Sequence, residues 1–115
     1  QLLLPLQEEG VLELPEIPSA CIHNAHIFFL KVKNLQERQN LITNLKQNYI
    51  LAVFHYVPLH SSDAGMKFGT FYGDDIYTTI ESERLVRLPL FYELTNKDIE
   101  NIVQLISKFF HKKKI

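Results

Sequence analysis

The sequence predicts a two-layer α+β domain, a short sheet with helices packed on one face. Three observations carry this. Aromatic and β-branched runs alternate with stretches whose apolar positions repeat at helical spacing, in the order strand, helix, strand, loop and helix, strand, helix. Capping residues stand just ahead of the helical stretches. A chain of 115 residues with 46% hydrophobic and 22% charged side chains has ordinary globular composition and enough length for one modest core. Strand order is not readable from this pattern.

Residues 1–18 are broken by Pro5, Gly10, Pro15 and Pro18. Leu2, Leu3, Leu4 and Leu6 fit the end of a helix, and Val11-Leu12-Glu13-Leu14 a short extended piece. From Asn24 to Lys33, the run Ala25-His26-Ile27-Phe28-Phe29-Leu30-Lys31-Val32 reads as a strand too continuously apolar to have a wet face. Asn34 followed by Glu37 offers a reciprocal cap, and Leu35, Leu41, Ile42, Leu45 and Tyr49 form one stripe of a helix over about 35–47. A second buried strand is expected from Ile50 to Val57, stopping at Pro58.

Residues 59–77 hold Gly65, Gly69, Gly73, Asp74 and Asp75 without periodicity and read as a long loop, which in a compact domain tends to be functional or mobile. Thr78 with Glu81 repeats the cap signature for a short helix to about Val86. Leu88-Pro89-Leu90-Phe91-Tyr92 reads as a strand that Pro89 confines to an edge or a strand end. Thr95 with Asp98 caps the last helix. Its stripe of Ile99, Ile102, Val103, Ile106 and Phe110 is the cleanest periodic signal in the chain.

Composition narrows the function. A formal net charge of −1 gives no electrostatic reason to expect nucleic acid or an acidic membrane, and Lys112-Lys113-Lys114 reads as a solvated helix end. Cys21 is the one cysteine, so no intrachain disulfide forms and a reducing, cytoplasmic setting is expected. No apolar run approaches a membrane span, and the opening residues lack the basic start of a signal peptide. The chain opens on Gln1 and its one methionine is Met66, so the expectation is a start inside a longer reading frame, or processing.

Five histidines invite a metal reading, but there is no cysteine pair or helical His-x-x-x-His pair, and no metal site is predicted. His26 and His55 fall within predicted strands. Gly65-Met66-Lys67-Phe68-Gly69 lacks phosphate-loop spacing. Arg84 or Arg87 has the guanidinium fork suited to an anionic ligand, but surface structure, with Glu81, Glu83 and Arg84 pairing along the short helix, is the favoured reading. Nothing marks a nucleophile beside its base. The run Phe54-His55-Tyr56-Val57-Pro58-Leu59-His60 differs. It leaves a predicted strand, turns at a proline and places three polar rings, those of His55, Tyr56 and His60, where a long loop begins. The residues alone leave two readings open: rings that cap a sheet edge, or a binding site.

Four stretches together carry a resemblance. They are Asn24-Ala25-His26 leading into the aromatic strand, Phe54 to His60, Tyr77-Thr78-Thr79-Ile80-Glu81-Ser82-Glu83-Arg84, and Leu88-Pro89-Leu90-Phe91-Tyr92. In order and spacing, across essentially the whole chain, they resemble the C-terminal region of the DegT/DnrJ/EryC1/StrS family of pyridoxal-phosphate sugar aminotransferases. The resemblance implies the small domain of a fold-type-I enzyme, a cytoplasmic homodimer that moves an amino group from glutamate to a dTDP-4-keto-6-deoxy sugar. It implies further that the cofactor lysine and phosphate-binding groups lie in a large domain upstream of Gln1. The chain alone is then expected to lack catalytic residues, to bind pyridoxal phosphate weakly at most and to transfer no amino group. By position in the motif, His60 is implied as a polar wall near cofactor and sugar, with His55 and Tyr56 second. The alternative is an independent α+β module that binds a small ligand or dimerises without catalysis.

Overall fold

A computed structural model describes residues 1–112, so Lys113 and Lys114 of the basic tail lie outside the described residues. The helices are α1 (Leu4–Glu8), α2 (Leu35–Gln47), α3 (Asp63–Phe68), α4 (Thr78–Arg84) and α5 (Asn96–Lys112). The strands are β1 (Phe28–Lys31), β2 (Val53–Phe54) and β3 (Leu85–Leu88). They form an antiparallel sheet in the order β1-β3-β2. The α+β class expected from the pattern is the observed one.

Two helices begin where side-chain chemistry places them. Asn34 accepts the Glu37 N–H at 3.0 Å, while the Glu37 carboxylate accepts the Lys33 N–H at 2.9 Å. Thr95 and Asp98 exchange bonds, Asp98 N–H to the Thr95 hydroxyl and Thr95 N–H to the Asp98 carboxylate, so two orphan donors of α5 are satisfied at once. Behind these caps, Leu41 and Leu45 of α2 and Ile102, Ile106 and Phe110 of α5 are buried against Leu30 of β1 and Val86 of β3. Leu30 and Val86 are directly paired in the ladder, which puts both on the helix-covered face. Ile99 and Val103 of the same stripe are half-buried.

The N-terminal segment closes one side of the core through Leu3, Leu6 and Leu12. Glu13 and Lys31 exchange backbone hydrogen bonds of 2.8 and 2.9 Å, so the expected extended piece adds onto the outer edge of β1. An ionic cluster reinforces it. Lys31 bridges Glu13 at 2.9 Å and Glu81 at 2.8 Å, and Arg84 reaches the same two carboxylates. Arg84 Nε also donates to the Val32 carbonyl at 2.8 Å.

Several expectations give way to tertiary contacts. The central strand is Leu85–Leu88, ending directly ahead of Pro89, rather than a strand over Leu88–Tyr92 with Pro89 at an edge or a strand end. A central strand needs its N–H groups on both sides, which a proline cannot supply. The short helix ends at Arg84 rather than Val86, because the Arg84 carbonyl accepts the Val32 N–H at 2.9 Å and draws the chain into the sheet. β1 is confined to Phe28–Lys31, leaving His26 outside any strand.

The buried strand expected over Ile50–Val57 contracts to Val53–Phe54, both of them exposed, and His55 follows it. Two causes act. Ile50 belongs to the end of α2, its N–H reaching Leu45 O at 2.9 Å while the Tyr49 N–H reaches Lys46 O at 3.0 Å. This is the paired closure of a Schellman motif, with Tyr49 in its left-handed position at φ 62°. Tyr49 is therefore fully exposed and not part of the core stripe. At the other end, Tyr56 has φ 57°, which no strand continues through.

The candidate functional site

The segment from His55 to Thr79 is not a featureless loop. A 3-10 turn at Leu59–Ser61 runs into α3. Pro58 O accepts the N–H groups of Ser61 and Ser62, both at 3.1 Å, and the Ser62 hydroxyl accepts the Gly65 N–H at 3.0 Å as the cap of α3. Gly65 is required by close approach: a Cβ there would overlap the Leu59 carbonyl. The tight turn so formed presents His60.

His60 lies at the centre of a cluster drawn from both ends of the segment. Its Nε2 stands 2.9 Å from Asp75 Oδ2, and both side chains are about four-fifths buried. Thr79 donates its hydroxyl to the same carboxylate in a short hydrogen bond and its backbone N–H to Asp75 Oδ1 at 3.3 Å. Phe71 leans on the imidazole at 4.5 Å between ring centroids. The Thr79 hydrogen bonds, above all that of its hydroxyl, hold the Asp75 carboxyl below the usual aspartate range, and His60 adds to the effect. Asp75 also serves the first turn of α4, a role that Thr78 was expected to fill. Thr78 instead lies within the helix, and the preceding Tyr77 makes no side-chain cap.

The three residues singled out from the sequence divide into two groups. His55 and Tyr56 are together, rings 4.7 Å apart and tilted by 56°. Tyr56 points to solvent, whereas His55 is half-buried and its Nδ1 is buried without a hydrogen-bond partner. Arg38 stacks over the neighbouring Phe54 at 5.2 Å and donates to Ser82 O at 2.8 Å, with its Nε likewise buried and unpaired. Burial pushes the Arg38 pKa below its ordinary value. His60 forms the second group, with Asp75, Thr79 and Phe71. Those three were not anticipated, although an aspartate four residues ahead of a threonine at a helix start is a legible anchoring signal.

The segment that carries His60 leaves several large apolar side chains uncovered. Leu59, Met66, Phe68, Tyr72 and Tyr77 are all more than 60% exposed and follow one another along the segment. A groove of about 820 Å³ lies elsewhere, between α1, the ends of β1 and β3, and α5. Leu3, Leu14, Phe28, Leu90 and Val103 are among its walls, and no residue of the 55–79 segment lines it.

The described lysines do not fit a resident pyridoxal phosphate. A lysine that forms a Schiff base needs a desolvated pocket and a lowered pKa. Lys31 is engaged by Glu81 and Glu13, which raise its pKa, and the other six described lysines are exposed. Arg84, which lines a small groove with Lys31 and Lys33, makes the expected pairing with Glu81 and is held further by Glu13 and Val32 O, so it is an internal tie rather than only a helix-surface side chain. Among the described residues no group of three His, Cys, Asp or Glu side chains is placed to hold a metal ion. No described helix is long and apolar enough to cross a membrane.

Comparison with known proteins places this geometry. The aminotransferase TlmJ from Streptoalloteichus hindustanus superposes with a TM-score of 0.82 at 17% identity, over 99% of this chain and 30% of that one. NtdA from Bacillus subtilis, solved with bound cofactor PMP, gives 0.74 at 23% identity over 99% and 26%. A DegT/DnrJ/EryC1/StrS aminotransferase from Brucella abortus gives 0.68 at 22% over 94% and 29%. The similarity to these structures is one of fold, and the chain spans less than a third of the length of each. Residues 1–107 match the sequence model of one family over nearly the whole chain, and the chain belongs to that family, the DegT/DnrJ/EryC1/StrS aminotransferases.

Proposed function

We propose that this chain is the C-terminal small domain of a pyridoxal-phosphate nucleotide-sugar aminotransferase, and that the 55–79 segment is its contribution to the substrate cleft. The single observation that carries the reading is His60, anchored by Asp75 and Phe71 within a segment that leaves many apolar side chains exposed. An ordered, half-buried polar group in a segment of uncovered apolar side chains suits a cleft wall completed by a larger body. Tyr56 in the left-handed region supports it, because strained non-glycine backbone collects at sites of function.

The cofactor, its lysine and its phosphate ligands belong in this reading to a preceding large domain, and the two subunits of a cytoplasmic homodimer complete each cleft. The amino donor is glutamate and the acceptor a dTDP-4-keto-6-deoxy sugar. Within the family we read the sequence as similar to dTDP-4-amino-4,6-dideoxygalactose transaminase of enterobacterial common antigen synthesis, which would place the product in a surface polysaccharide. His60 orients the sugar or its diphosphate by hydrogen bonding, while His55 and Tyr56 support the wall beside it.

The test is to purify the full-length protein with pyridoxal phosphate and follow the visible absorbance of the bound cofactor. Loss of the band with glutamate and its return with dTDP-4-keto-6-deoxyglucose is the expected result. A band that ignores this sugar moves the substrate, and a protein that takes up no cofactor sinks the reading in favour of a non-catalytic module. For the site, His60→Ala in the full-length enzyme is expected to lower kcat/KM for the sugar about 10- to 100-fold. Unchanged kinetics would remove His60 from the cleft wall.

A further inference from the structure

We infer that Asp75, held by Thr79, is a positioning residue that sets both the heading and the tautomer of His60; this rests on the placement of His60 in the substrate cleft. The argument runs through the hydrogen bonds available. Asp75 is held as a carboxylate, so it only accepts. The Thr79 hydroxyl spends its one proton on Asp75, so its oxygen can only accept from the imidazole, whose Nε2 lies 3.4 Å away. Every neighbour of Nε2 is thus an acceptor, and Nε2 must carry a hydrogen. In the neutral ring that leaves Nδ1 as a lone-pair acceptor, and Nδ1 has no hydrogen-bond partner among the described residues. Phe71 packs against the ring at 4.5 Å between centroids. The atom of His60 left for a ligand is therefore Nδ1, presented as an acceptor suited to a hydroxyl or other donor on the substrate.

The geometry also explains the position of Asp75 in the chain. It stands fifteen residues beyond His60 and four before Thr79, so one carboxylate fastens the start of the segment to the start of α4. Two backbone-anchored elements then hold one ring, which a flexible loop alone could not do.

Replacing Asp75 by asparagine tests this with little change in shape. The backbone N–H of Thr79, which bonds Oδ1, holds the amide oxygen there, so the amide NH2 takes the Oδ2 position and faces Nε2, with the Thr79 hydroxyl now accepting from it. The ring must then present a lone pair at Nε2 and carry its hydrogen on Nδ1. In full-length protein with 15N-labelled histidine, and with the His60 signals assigned through His60→Gln, the wild type should show protonated Nε2 and Asp75→Asn protonated Nδ1. The kcat for the sugar should fall about 10- to 100-fold, with KM changed less than about threefold. Thr79→Ser, which keeps the hydroxyl and the N–H, should retain the wild-type tautomer and rate.

A His60 tautomer that ignores Asp75→Asn overturns the inference, whatever the kinetics. An inverted tautomer with normal turnover upholds the Asp75–His60 relation and instead removes His60 from the cleft. Should Asp75→Asn fail to fold, Thr79→Val supplies the second measurement. It removes the hydroxyl but keeps the N–H, so it should leave Nε2 protonated while broadening the His60 signals. Loss of the wild-type tautomer there would equally overturn the inference.

Discussion

The sheet with α2 and α5 and the segment from His55 to Ile80 treat apolar side chains in opposite ways. In the first, Leu30, Val86, Leu41, Leu45 and Ile106 are completely enclosed, and every helix start has its cap. In the second, Leu59, Met66, Phe68, Tyr72 and Tyr77 face outward, and order comes from polar ties instead. These are the proline-led turn, the Ser62 cap and the Asp75–His60–Thr79 cluster. The hydrophobic effect holds one region together, and hydrogen bonds shape the other, whose apolar groups stay uncovered.

The largest effect should come from the enclosed half. Ile106→Ala is expected to cost about 2–5 kcal/mol in denaturant unfolding, the usual range for a buried large-to-small change, whereas Phe68→Ala should stay within about 0.5 kcal/mol. Equal losses would erase the contrast. Next, Gly65→Ala forces the Leu59 carbonyl aside and should cost about 1–3 kcal/mol locally. Hydrogen exchange is expected to show lost protection over residues 59–68 with α5 unchanged, and a uniform rise in exchange would show the two regions to be one cooperative unit.

A smaller effect belongs to the ionic tie between them. Removing Arg84 in Arg84→Ala should cost about 1–2 kcal/mol, because the Val32 carbonyl loses a donor and two carboxylates lose a partner. Lys31, then Arg84, lowers the pKa of Glu13, and the same pair lowers that of Glu81, while both carboxylates raise Lys31. Stability from the glutamates is thus present above their ordinary pKa and lost as pH falls through the lowered values. Stability from Lys31 is present below its ordinary pKa and lost as pH rises through the raised one. Melting temperature against pH should show a plateau between these limits, and Arg84→Ala should flatten its acid limb. An acid limb of undiminished slope would show the cluster to be solvated and weak.

The smallest expected change is a gain. Tyr49→Gly relieves a left-handed tyrosine whose side chain touches solvent only, and should stabilise by about 0.5–1 kcal/mol. A loss there would mean that Tyr49 contributes through a contact absent from this fold.

The sequence alone determined whatever depends on neighbours a few residues apart. The bounds of α2, the caps at Asn34 and Thr95, the buried stripe of α5 and the α+β class all rest on local spacing, and all appear as read. His60 was singled out as a polar ring beyond a proline and by its position in the family motif. What paired with it was not, because Phe71, Asp75 and Thr79 are distant in sequence and meet only when the segment closes on itself. Tertiary structure likewise decided that β3 lies between β1 and β2, that Ile50 closes α2 instead of starting a strand, and that Arg84 is an internal tie. The physical reason is the same in each case. Local spacing fixes which backbone conformations are favoured, but the choice among partners for a buried donor or charge is made by whichever distant group the folded chain brings within about 3 Å.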